Sequence, residues 1–178
     1  MRHPIIKMRP RPPRAMVGTL AKVNTVRVGD SGMKGRGVFA NSPIPASTVV
    51  ATFRGKVRWI WDIPEDLWSH AFQVDYDRYT LGRKNSVGWL INHSCDPNCL
   101  ITGMSLVTAR KVLKGEELTF DYSTDVDWPG YSMECHCGSS QCRGIIRAYR
   151  FLPKELKVRY GRHVAPFILK KHGPPKAL

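Results

Sequence analysis

Apolar positions along this chain alternate in short runs, and glycine or proline soon interrupts each one. Residues 23–28 alternate well enough for a strand, and residues 48–53 predict a second, stopped by Arg54-Gly55. Residues 56–69 read as holding a short helix that opens at Pro64, followed by a short strand over 71–74. Two further strands are expected at 105–109 and 117–122, on either side of a Lys114-Gly115-Glu116 turn. Near the end, Leu152, Leu156 and Tyr160 recur four apart between Pro153 and Gly161, which predicts a helix. Short strands dominate, helices are few and no repeat is visible, so the chain reads as mainly β.

One segment breaks the pattern. Trp89-Leu90-Ile91 leads in and Leu100-Ile101 leads out, but Asn92, His93, Ser94, Cys95, Asp96, Pro97, Asn98 and Cys99 lie between. Buried polar groups cost stability unless each finds a partner. The segment is therefore either a solvated loop or is packed against something that satisfies it. A second irregular segment, Gly29-Asp30-Ser31-Gly32-Met33-Lys34-Gly35-Arg36-Gly37, carries four glycines in nine residues. It marks a turn where backbone bends sharply or approaches a neighbour, but it lacks the spacing of a dinucleotide loop.

Length and composition set the class. A chain of 178 residues with 42% hydrophobic and 24% charged residues suits one globular domain with short appendages. No apolar run reaches the roughly 18 residues that span a bilayer. The basic N-terminus lacks an apolar core and a small-residue cleavage site, so a soluble, intracellular protein without a membrane partner is expected. Residues 1–16 are rich in Pro and Arg and read as an extended or disordered arm. The net charge of +14 sits at the two ends. Residues 1–29 hold seven Lys or Arg and no acid, and residues 143–178 hold ten against Glu155 alone. Between them, eleven basic residues face thirteen acidic ones. Such ends suit tethering to nucleic acid, or serve only as solubilising tails.

Five cysteines fall in two groups, Cys95 with Cys99 and then Cys135, Cys137 and Cys142. Inside a cell a disulfide framework is disfavoured. The tight Cys-x-Cys-x4-Cys run can bring three thiolates to one zinc ion, which takes four ligands in a structural site. Cys95 and Cys99 are both candidate fourth donors. The plain alternative is a set of unrelated buried thiols.

Taken in order, GMKGRGVFA, WLINHSCDPNC, GEELTFDY and CHCGSSQCRG resemble the SET-domain protein lysine methyltransferases with a zinc-binding post-SET segment. The resemblance implies small β-sheets with a pseudoknot, over 23–128, a post-SET segment over 131–147 and a basic extension with a short helix over 148–178. It implies S-adenosylmethionine and zinc as cofactors. Lys34, Gly35, Arg36, Asn92, His93, Tyr122 and His136 would line the cofactor site, and Cys95, Cys135, Cys137 and Cys142 would hold the metal, leaving Cys99 out. Tyr122 matches the family's catalytic tyrosine, and Phe120 matches the position that limits how many methyl groups fit.

The chemistry asks for geometry more than for reactive groups. At neutral pH the neutral amine of lysine costs on the order of 4 kcal/mol to populate. An apolar channel and a nearby positive charge lower that cost. Tyr122 would orient the amine but makes a poor base, since a phenol titrates near 10. Three residues depart from the family pattern: His70 stands where many members have a tyrosine, Trp89 replaces a frequent arginine, and Arg147 takes the place of an aromatic. The expected substrate is a basic protein, with a histone favoured over a ribosomal protein, and the expected setting is chromatin in a eukaryote or cytoplasm in a prokaryote. The rival reading is a zinc module that binds nucleic acid without catalysis.

Overall fold

The computed structural model describes residues 19–20, 25–32, 35–82 and 86–175, and within them the short alternating runs form five small sheets. β4 (Thr48–Thr52) lies between β1 (Thr19–Leu20), parallel to it, and β10 (Ser105–Thr108), antiparallel; β9 (Cys99–Thr102) pairs with the far edge of β10. β2 (Val26–Asp30) and β3 (Arg36–Ala40) form a hairpin whose tip is the glycine-rich turn. A third sheet has the order β5 (Lys56–Trp59), β7 (Arg78–Leu81), β6 (Ala71–Asp75). β12 (Ser132–Glu134) pairs with β13 (Ile145–Arg147). The remaining pair is parallel: β8 (Asn92–His93) beside β11 (Thr119–Phe120).

Several boundaries differ from expectation, each for a local reason. The first hairpin strand begins at Val26, and residues 23–24 of the expected strand lie outside the described residues. Residues 56–59, ahead of the helix expected from Pro64, form a strand for which no element was expected. All four are exposed, so no alternation marked them. The turn after Pro64 is 3-10 rather than α, over Glu65–His70. The strand expected over 117–122 shortens to Thr119–Phe120, because the Asp121 carboxylate accepts the Ser123 N–H and starts a 3-10 turn at Tyr122.

The predicted helix is α1 (Lys154–Tyr160), with Pro153 at its N-cap, and it stops at Gly161, where φ is +56°. A second helix, α2 (Pro166–His172), has proline at its start and glycine after its end. Among the described residues no helix is long and apolar enough to cross a membrane.

The basic C-terminal stretch is not simply a tail. Tyr149, Leu152, Tyr160, Val164 and Ile168 join Val38, Phe53, Phe72, Ile101, Leu106 and Leu118 in one buried core. Each such side chain contributes roughly 1.5–3 kcal/mol by leaving water. Of the basic residues between them, Arg150 and Arg159 close ion pairs with Asp127 and Asp96, and Lys157 donates to the Arg150 carbonyl.

Asp127 shows how this stretch is fastened. Its carboxylate, almost fully buried, accepts from Arg150 at 3.1 Å, Lys171 at 2.9 Å and His172 at 2.8 Å, while its N–H reaches Gln73 of β6. Burial alone would raise this carboxyl, but hydrogen bonds from His172, Lys171 and Arg150 outweigh it and bring it down to about 2. A depressed carboxyl stabilises the fold above its unfolded value near 4, and that contribution is lost as pH falls through 2. We therefore expect about 2 kcal/mol of acid-labile stability between pH 5 and pH 2. Denaturant titrations of wild type and Asp127→Asn should converge at pH 2; a gap that stays constant with pH would refute this.

Candidate active site

The polar insert is largely buried, with Asp96 exposed, and its side chains close a network. Asn98 donates to the Glu117 carbonyl at 2.8 Å and accepts the Thr119 N–H at 3.0 Å, so one side chain ties the insert to the start of β11. Asn92 donates through Nδ2 to the Arg36 carbonyl at 3.0 Å and to Glu117 Oε1 at 2.7 Å. Glu117 Oε1 also accepts from Ser31. The insert is thereby tied to the base of the glycine-rich turn. Gly35 in that turn has φ of +70°, a conformation that favours glycine.

Asp121 is the second node. One oxygen accepts from Arg143 at 2.6 Å and from the Ser123 N–H, and the other accepts from Tyr160 of α1 at 2.9 Å. His93 Nδ1 accepts the Tyr122 N–H at 3.2 Å, which places its ring proton on Nε2, 3.3 Å from Cys95 Sγ.

Two cavities meet at Tyr122. The larger, about 690 Å³, is walled by Phe53, Phe72, Tyr79, Trp89, Phe120 and other apolar or aromatic groups, with the half-exposed Trp68 and Trp128 among them. The smaller, about 290 Å³, is more polar and is lined by Asn92, His93, Glu134, Cys135, His136 and Cys137. Tyr122 and Met133 belong to both linings. The Tyr122 hydroxyl donates to the Ile91 carbonyl at 3.1 Å, and burial pushes its pKa well up. Its proton is thus committed, while its oxygen keeps lone pairs to accept a hydrogen bond. Phe120 packs 4.9 Å from the Tyr122 ring centre.

Beside the polar cavity lies a second small core of Cys95, Cys135 and Ile146. Cys95 and Cys135 Sγ are 3.8 Å apart. Four sulfurs at about 2.3 Å around a tetrahedral zinc stand about 3.8 Å from one another. Cys137 Sγ accepts the Cys95 N–H and Cys95 Sγ accepts the Arg143 N–H, contacts that stabilise thiolates. Burial would raise the Cys137 thiol, but backbone N–H groups of Cys95 and Ser139 and the neighbouring thiols bring it down to about 6. Cys142 hydrogen-bonds with Cys135 and Cys137, its Sγ 3.2 Å from the Cys135 carbonyl. This donor set fits zinc. His93, Cys95, Cys135 and Cys137 also place their donor atoms within 4.8 Å of one another. With Nδ1 taken by a backbone donor, however, His93 has no lone pair at Nε2 for a metal. Cys99 lies apart, fully buried in β9 beside Asn98.

The other expected residues are distributed unevenly. Lys34 lies outside the described residues. Gly35 and Arg36 sit at the hairpin tip, and the Arg36 carbonyl reaches the site by accepting from Asn92. His136 is three-quarters exposed and faces Glu134 at 3.7 Å. Ala71 rather than its neighbour His70 lines the large cavity. Trp89 lines it too, edge-on to Phe53. Arg147 is exposed on β13 and lends its carbonyl to Ser123. Sequence reasoning gave no role to Asp121, Arg143 or Asp125. The signal for the first two was present: Asp121 sits inside the quoted GEELTFDY, and Arg143 directly follows a cysteine of the cluster.

The family model described as SET domain matches residues 35–123, half of the chain. Histone-lysine N-methyltransferase ATX2 of Arabidopsis thaliana is 31% identical across 66% of this chain and 12% of its own length. The H3 lysine-36 specific histone-lysine N-methyltransferase of Cryptococcus neoformans is 32% identical across 64% of this chain and 16% of its own length. The chain thus spans less than a fifth of these curated relatives. Among solved structures, KRYPTONITE in complex with mCHH DNA, H3(1-15) peptide and SAH is similar, with a TM-score of 0.53 and 27% identity over 68% of this chain and 29% of that one.

Proposed function

The chain belongs to the SET domain family, and on that premise we propose that it methylates lysine side chains of a basic protein, using S-adenosylmethionine. The observation that carries this reading is the junction of a polar and an aromatic cavity at one buried tyrosine. Methyl transfer needs donor and acceptor approached from different sides and aligned where they meet. S-adenosylmethionine, held by Asn92, His93 and His136 with the backbone near Gly35 and Arg36, supplies an electrophilic methyl group. The aromatic cavity takes the lysine, excludes water from it, and presents the Tyr122 oxygen as an acceptor for its N–H. Asp62, Glu65 and Asp66 are exposed on the segments that supply cavity residues Ile60 and Trp68, which suits a positively charged peptide.

A histone is the favoured substrate, since the histone-lysine N-methyltransferases above are the relatives found, and chromatin is then the setting. Residues 23–128 form the catalytic part, 131–147 the post-SET zinc segment and 148–178 a C-terminal extension, of which the stretch from Tyr149 to Ile168 packs onto the core. Incubation with labelled S-adenosylmethionine, core histones and a panel of other basic proteins tests the reading. Methyl transfer to histone lysine supports it. Absence of both transfer and cofactor binding, with tight salt-sensitive nucleic-acid binding, favours a non-catalytic zinc module instead.

Phe120 predicts the product. Its ring cannot hold a water in the cavity, whereas a tyrosine there can. One hydrogen bond is worth about 0.5–1.5 kcal/mol and 1.4 kcal/mol changes a rate tenfold, so one hydroxyl suffices to alter the outcome. Wild type should yield di- or trimethyl-lysine, and Phe120→Tyr should shift the product toward monomethyl. Time-resolved mass spectrometry checks this; wild-type product stalled at monomethyl would contradict it.

A further inference from the structure

Asp125 has no role in the account so far, yet it is 7% exposed and lines the aromatic cavity. The Gln73 N–H lies beside its carboxyl, but Oδ1 has no hydrogen-bond partner. A buried carboxylate oxygen left without a donor is destabilising, so its retention calls for a ligand. Its place is set by the 3-10 turn that begins at Tyr122, closed by the Asp125 N–H on the Tyr122 carbonyl at 3.0 Å. Residues three apart on such a turn share a face, and both side chains line the same cavity.

The titratable groups facing Asp125 are Tyr79 of β7, Tyr122 and Tyr131, all held protonated by burial. Asp127, two residues on, is occupied by Arg150, Lys171 and His172. Among the described residues, Asp125 is the one carboxyl in the cavity lining. Burial raises its pKa above the ordinary carboxylate range. The positive charge of an entering ammonium opposes that shift, so the carboxyl meets the cation ionised and is then basic enough to take up a proton.

Resting on the lysine methyltransferase reading, we propose that Asp125 binds the incoming lysine ammonium and accepts its proton, generating the nucleophilic amine inside the cavity. An N–H bond of the ammonium breaks, nitrogen keeps the electron pair, and an O–H bond forms on Asp125 Oδ1. A neutral acid and a neutral amine replace two charges in a low-dielectric site. The acid returns its proton to water once the product has left. At pH 7 the ammonium form of lysine outnumbers the amine by about three powers of ten. A cavity that admits the ammonium therefore draws on nearly all of the substrate, and Tyr122, with its proton committed to Ile91, is left to orient the amine.

The test uses the full chain and whichever basic protein the wild type methylates, with kcat measured from pH 6 to pH 10. Asp125→Asn should lower kcat at least tenfold at pH 7 and recover about tenfold per pH unit as amine becomes available, with cofactor affinity unchanged. Asp125→Glu should restore the flatter wild-type profile. Equal kcat and parallel profiles in wild type and Asp125→Asn would overturn the proposal. Should the variants not fold, competition on wild type decides. n-Butylammonium should bind at least tenfold tighter than n-pentanol, and equal binding would overturn the proposal. If wild type transfers no methyl group to any protein, it is the methyltransferase reading that fails.

Discussion

Cys142→Ser should empty the metal site and loosen residues 131–147. Cys142 is exposed, so replacing sulfur by oxygen removes little packing and the effect reports on the metal. Structural zinc contributes roughly 10–16 kcal/mol to small modules, against about 5–15 for a whole domain. Here the ion would hold the β12–β13 hairpin against Cys95 and, through Arg143, against Asp121. Elemental analysis should find about one zinc per wild-type chain and little in the variant. Hydrogen exchange should rise in 131–147 and spread to Asp121. Cys99→Ser should keep its zinc, because that thiol sits in the main core. His93→Gln should also keep it. Zinc lost with His93→Gln but retained with Cys142→Ser would replace the fourth sulfur by the imidazole.

Tyr122→Phe should nearly abolish turnover, by at least a hundredfold, while cofactor affinity changes little. A misplacement of reacting groups on the order of 1 Å costs about that much. The hydroxyl is fixed by the Ile91 carbonyl, so its oxygen lies at a set point where the two cavities join. Removing it also leaves that carbonyl unpaired, at about 1–3 kcal/mol of stability. A melt showing that modest loss beside a large fall in kcat separates orientation from folding. Near wild-type kcat would remove Tyr122 from the mechanism. A second distinction concerns pH: wild type and Tyr122→Phe should keep the same profile shape, because the tyrosine is not the proton acceptor.

Much of this site was legible before any coordinates. Asn92, His93, Tyr122 and His136 meet at one cavity although 44 residues separate the first from the last. Residue patterning alone did not group them; the resemblance of the combined motifs to the family did. The cysteine spacing did mark a cluster, because three thiols within eight residues cannot lie far apart. Strand boundaries were less legible. β5 is exposed on every residue, and β8 and β11 have only two residues each, too short for any periodicity. α2 carried usable signals in Pro166 and Gly173, but its basic last turn blended with the charge of the C-terminus.

The sequence by itself determined the small-sheet class and the cysteine cluster, which depend on local pattern and residue chemistry, while Tyr122 stood out through the family resemblance and not through its strand position. Spacing alone left Cys95 and Cys99, four residues apart, as equal candidates, and the tertiary structure parts them. The first turns toward Cys135 and the second points into the main core, according to which neighbour each strand meets. It also decided that the basic C-terminus closes the core, and that Asp127 is saturated while Asp125, two residues away, is left with an unpaired oxygen in an aromatic cavity. Two aspartates in one short stretch look alike as letters. Their charge, partners and chemistry are set by what packs against each, and distant segments supply that packing through burial, which local periodicity does not encode.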